Sequence, residues 1–223
     1  MAQTETTRIR FRAAIVAIAP AVLLVGFAYH PFLTTPTDPG AIAAAAAANT
    51  TRWGLAHLTI AIGYGFVVLA FIAIRSHLRE AGEERWSVTA LPFIVMGGTL
   101  FAVLPGMEFA PLAAAEAGAD AQATQAALIP WFVPILLTGA VSFALGALGI
   151  AIGIVRSGLM NPVPTWLVVG ALVVMAAARF VPLSATPCVI ALAGILALWP
   201  LAYEMWKHAE GRPAEQPRPM PAT

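Results

Sequence analysis

Five side chains stand where polar residues are scarcest in this sequence. His30 closes a long apolar stretch just before Pro31, and His57 lies four residues beyond Trp53 in the next one. Glu108 follows Met107 at the end of a third stretch, and Arg179 is fourteen residues into a fifth. Neutral imidazole is a common metal ligand, so His30, His57 and Glu108 with an open position would suit zinc, and Met107 would extend the set towards copper. The same imidazoles could be axial ligands of a haem. Directly packed helices stand only about 8–10 Å apart, which favours a small ion. One histidine acting as the base of a membrane hydrolase is a further possibility.

Arg179 carries the strongest constraint. Even the lower insertion scale assigns arginine about 2.5–3.5 kcal/mol at the centre of a membrane helix. It must pair with Glu108, meet an anionic ligand, or snorkel to an interface about one turn away. Tyr64 follows His57 by seven residues, nearly two helical turns, and so shares its face. We therefore expect His30, His57, Glu108, Arg179 and Tyr64 to line one polar pocket. No H-x-x-x-H, H-E-x-x-H, G-x-S-x-G or P-loop pattern occurs, and no pair of carboxylates falls inside an apolar stretch. Non-catalytic binding or movement of a small molecule or ion is the main expectation. A metal- or haem-bearing redox component and a structural subunit of a membrane complex are the alternatives.

The elements that must hold these residues follow from composition. Of 223 residues, 60% are hydrophobic and 10% charged, against roughly 45–50% and about 25% in an ordinary soluble domain. So few charges cannot cover a globule in water, and lipid must be the main solvent. The formal net charge of +1 and the lack of a basic run interleaved with aromatics exclude a nucleic-acid groove. Cys188 is the single cysteine and has no disulfide partner in the chain.

Crossing about 30 Å of hydrocarbon takes about 20 apolar residues. Six such stretches run approximately from Ala13 to Leu33, Trp53 to Ile74, Trp86 to Pro105, Ala127 to Val155, Thr165 to Pro182 and Pro187 to Tyr203. The reading is an all-α, polytopic six-helix transmembrane bundle with both termini cytoplasmic. That orientation puts Arg8, Arg10, Arg12, Arg75, Arg79, Arg85, Arg156, Lys207, Arg212 and Arg218 inside and leaves only Arg52 outside. It implies a multi-pass plasma-membrane protein with a segment over 1–12, a membrane domain over 13–206 and a disordered tail over 207–223, where proline recurs. Gly26-Phe27-Ala28 has the form of a signal cleavage site, but the apolar run before it is longer than such a segment usually is.

Finer features follow. Asp38-Pro39 predicts an N-cap and first-turn proline for a short helix ending near Asn49, and the alanine-rich stretch from Gly106 to Gln125 predicts another. Trp53 follows His30 by 23 positions and Trp131 follows Glu108 by 23, which with Ile74-Arg75-Ser76 and Val155-Arg156-Ser157 suggests a duplicated hairpin. Both tryptophans read as interface markers. Gly139, Gly146, Gly149 and Gly153 form a small-residue seam, suited to packing within the bundle or to a homo-oligomer or membrane partner through Gly149 and Gly153. Glu204 and Lys207 are expected to pair.

Overall fold

The computed structural model describes residues 2–35, 37–181 and 183–211, and it is helical without strands among them. In chain order the helices are α1 (Ala2–Tyr29), α2 (Pro39–Ala48), α3 (Thr50–Glu80), α4 (Arg85–Met107), α5 (Phe109–Glu116), α6 (Ala121–Ser157), α7 (Pro162–Ala177) and α8 (Thr186–Glu210). A 3-10 turn over Ala178–Phe180 extends α7. Among the described residues, six of these helices are long and apolar enough to cross a membrane. The protein is an integral, multi-pass membrane protein.

Local chemistry sets the helix ends. Asp38 Oδ1 accepts from the Gly40 backbone N–H at 3.0 Å with Pro39 in the first turn, as the sequence predicts for α2. Asn49 caps α3 by accepting from Arg52 N–H at 2.8 Å, and Asp120 caps α6 by accepting from Ala123 N–H at 2.8 Å. α1 already begins at Ala2, so the boundary expected near residue 12 is not an element boundary. α8 continues past Lys207 to Glu210, so residues 207–210, expected in the tail, are helical. The rest of that tail, with Arg212, Pro213, Pro217, Arg218, Pro219 and Pro221, lies outside the described residues, as does Pro182. Lys207 and Glu204 do pair, at 3.7 Å.

The long helices close into a ring. α1 packs on α3, α3 on α4, α4 on α6, α6 on α7, α7 on α8, and α8 returns to α1. At one end α2 and α5 lie across α3 and α6 as a roof. The other end carries most of the described basic residues, and there Arg12 Nη1 meets Glu80 Oε1 at 2.8 Å and ties α1 to α3. Inside the ring, His57, Tyr64 and Phe71 recur every seven residues on α3. Ile94, Phe101 and Glu108 do the same along α4 and at its end, and all six are buried. A seven-residue spacing returns nearly to the same helix face, so these stripes stay turned inward.

Close approach of α4 and α6 depends on missing side chains. A Cβ added at Gly97 would stand 2.7 Å from the Phe143 backbone N, and one at Gly146 would stand 2.8 Å from the Ile94 backbone N. Backbone atoms cannot swing aside. The seam is thus used within the chain: a Cβ at Gly149 would meet Ala90 Cβ at 2.7 Å, and one at Gly153 would meet Glu83 Oε2 at 2.9 Å. Packing within the bundle is one of the two uses expected of the seam, with α4 against Gly149 and the α3–α4 connection against Gly153. Gly97→Ala should lower stability by about 1–3 kcal/mol, the range for overpacking a filled core. Gly65→Ala is the matched control, since nothing lies within 4 Å of its added Cβ. Thermal unfolding in detergent compares them, and equal melting would contradict the packing account.

Candidate functional site

The polar residues singled out by type and spacing fall into two layers. Nearer the roof, His30 and His57 touch edge to face, with ring centroids 4.8 Å apart. Trp53 packs against both, at 5.0 Å from His30 and 4.5 Å from His57. His30 Nδ1 lies 2.7 Å from the Pro31 carbonyl oxygen, and His57 Nδ1 lies 2.8 Å from that of Trp53. A carbonyl can only accept, so each Nδ1 carries the proton and donates it. When the rings are neutral, each Nε2 keeps its lone pair.

Trp53 is not an interface marker. It is 1% exposed, covered by Ile42 and Ala46 of α2 and Leu112 of α5, and its Nε1–H donates to the Glu108 carbonyl oxygen at 3.3 Å. Trp131, its counterpart in the suggested duplication, is 70% exposed. The repeat spacing therefore does not carry an equivalent role, because α2 and α5 bury only the first tryptophan. Glu108 joins the upper layer through its main chain. Its side chain turns to α6, where Gln125 Nε2 donates to Glu108 Oε1 at 3.1 Å.

Among the described residues, no three or more His, Cys, Asp and Glu side chains are gathered as a metal ion would require. The proposed His30, His57 and Glu108 ligand set is therefore not assembled. Two axial imidazoles must stand apart, each with its nitrogen aimed at one iron from opposite faces of a porphyrin. Rings in direct edge contact leave no slot for that plane, so the bis-histidine haem reading does not fit this arrangement.

The second layer lies two helical turns further from the roof, about 10 Å along α3 and α4. Tyr64 stacks on Phe101 at 5.4 Å, and Phe101 meets Phe143 edge to face at 6.3 Å. Arg179 enters from the 3-10 turn after α7. Its guanidinium carbon stands 4.7 Å from the centroid of Phe101 and 4.0 Å from that of Phe143. The side chain thus crosses the ring from α7 to α4 and α6 and does not snorkel. Nη1 donates to the Met175 carbonyl. Nε and Nη2 are buried without a hydrogen-bond partner, and no ion pair joins Arg179 to Glu108 among the described residues.

Those two free nitrogens share one edge of the guanidinium plane. That edge presents two parallel N–H groups and matches the two oxygens of a carboxylate. The anchored Nη1 and the two aromatic faces fix its direction in advance. Phe101, Phe143 and Gln125 were not distinguished by the sequence: the phenylalanines look like any lipid-soluble core residue, and Gln125 sits at the edge of an alanine-rich loop. The one signal for the phenylalanines was Phe101 standing seven residues before Glu108.

The first membrane-crossing helix ends at Tyr29 and not at the expected Leu33, so His30 lies past it, between α1 and α2, and predicts a pH dependence. Burial holds its imidazole below the ordinary pKa, and the positive Arg52 adds to this. The Pro31 carbonyl acts in the opposite direction. The unfolded ring takes up a proton as pH falls through about 6.5, before the folded ring does. Stability should therefore fall as pH drops below that value and level off below the folded pKa. His30→Gln should make melting temperature less sensitive to acid, and an unchanged acid slope would refute the assignment.

No family model matches the chain, and neither the curated proteins nor the solved structures compared with it include a match.

Proposed function

We propose that this is a plasma-membrane protein, with its roofed end outside and both termini cytoplasmic, that binds and moves a small organic anion. The anion's carboxylate docks on the Nε/Nη2 edge of Arg179. The observation that carries this reading is a guanidinium 7% exposed, anchored on three sides, whose bidentate edge has no partner. An intramembrane arginine without a counter-charge is costly, and a transient anionic ligand supplies that charge. The basic residues at the unroofed end support the orientation. His30 and His57 lie between the roof and Arg179 and supply neutral polar groups along the route.

Calorimetric titration of the protein in nanodiscs tests the proposal, using acetate, benzoate and alkylamines of matched size. A carboxylate should bind and the amines should not. Arg179→Lys keeps the charge but loses the fork, so affinity should fall roughly ten- to hundredfold, as expected for one charge-assisted hydrogen bond. Flux in proteoliposomes then separates carriage from binding. Equal carboxylate affinity in the native and Arg179→Lys proteins would remove the site.

A further inference from the structure

Glu108 and Gln125 face each other beneath the roof, one at the junction of α4 and α5 and the other near the start of α6. They are 8% and 4% exposed. One hydrogen bond joins them, from Gln125 Nε2 to Glu108 Oε1. Glu108 Oε2 and Gln125 Oε1 are both buried, and neither receives a hydrogen bond. With the carboxyl ionised, both orphan atoms are acceptors, so neither can satisfy the other.

Among the described residues, the surroundings offer no counter-charge. No ion pair reaches Glu108 among the described residues. On α3, Arg52 is committed to Tyr29, donating from Nε to its carbonyl and lying over its ring. The charged groups of the other roof elements are acidic: Asp38 before α2, Glu116 ending α5 and Asp120 before α6. Trp53 gives its N–H to the main-chain carbonyl of Glu108, not to the carboxyl, and His57 and His30 pack around that indole. A buried charge left this way is normally neutralised.

One proton meets both deficits. Added to Glu108 Oε2, it removes the charge and converts an orphan acceptor into a donor. The Gln125 carbonyl belongs to the amide that already bonds the other carboxyl oxygen, which is the complementary pairing of a carboxylic acid with a primary amide. Exchanging the amide oxygen and nitrogen does not escape the requirement, because two oxygens would then face each other with a proton needed between them. We propose that Glu108 and Gln125 form a proton-binding site beneath the roof, with Glu108 held as the neutral acid and its Oε2–H given to Gln125. The site takes one proton from water and returns it without any change elsewhere in covalent structure. It is independent of the Arg179 reading.

Infrared difference spectroscopy on the protein in nanodiscs, titrated from neutral to alkaline pH, tests this. The native protein should show a hydrogen-bonded carboxylic acid C=O band at neutral pH that gives way to carboxylate bands on alkalinisation. Glu108→Gln should abolish that band, and as an isostere of the neutral acid it preserves the pairing. Gln125→Leu should move the band to higher frequency by removing its hydrogen bonds. Arg179→Met should retain it, so this site and the anion site fail separately. Carboxylate absorption from Glu108 already present at neutral pH, or an acid band indifferent to both Glu108→Gln and Gln125→Leu, would overturn the assignment.

Discussion

Arg179→Met should melt no lower than the native protein while losing every response to carboxylates. In the resting fold the guanidinium costs more than its contacts return. It contributes one hydrogen bond to Met175 and two contacts with aromatic faces. Against them stand a desolvated charge and two buried donors without partners, each unmet donor costing about 1–3 kcal/mol. Replacing buried charged groups by packed apolar side chains is often neutral or stabilising by about 1–4 kcal/mol. Methionine has a similar reach and fills irregular space between Phe101 and Phe143. A structural arginine would give the opposite sign. Thermal unfolding of both proteins, with and without benzoate, decides the matter: a large loss of stability in the substituted protein would make Arg179 a brace and not a ligand-binding group.

Trp53→Ala should be among the most damaging single changes, costing about 3–5 kcal/mol, the usual range for deleting a fully buried large aromatic. Its ring fills the space between the two imidazoles and the roof, and its N–H is the direct link to the α4–α5 junction. Trp53→Phe keeps most of the packing and loses only that hydrogen bond, so about 0.5–1.5 kcal/mol is expected. The two effects should also differ in place. Removing the indole uncovers Ile42 and Leu112, so limited proteolysis should cut α2 and α5 earlier in Trp53→Ala, while the basic end stays resistant. Uniform loss across the molecule would contradict the view of the roof as a separate small core.

Much of the architecture was legible because the hydrocarbon thickness imposes a length and polarity rule on each span. All six spans appear, and Asp38-Pro39 announced α2 because capping is local chemistry. The site was less legible. Spacing along α3 put His57 and Tyr64 on one face, and they do share it, two turns apart. His30, His57 and Glu108 stand in one layer and Arg179 in another for a physical reason: the arginine leaves a 3-10 turn and extends across the ring. Its depth is set by the direction of that side chain and not by its position in the span.

The amino-acid sequence alone determined the solvent, the number of crossings and the places where polar groups are costly, since each depends on composition within one helix. Tertiary structure decided the partners. Whether Trp53 meets lipid or a roof, whether glycines serve an oligomer or α4, and whether Arg179 finds an acid or two phenyl faces all depend on which helices close the ring. Those choices come from shape and close contact between segments distant in the chain, and no single segment encodes them.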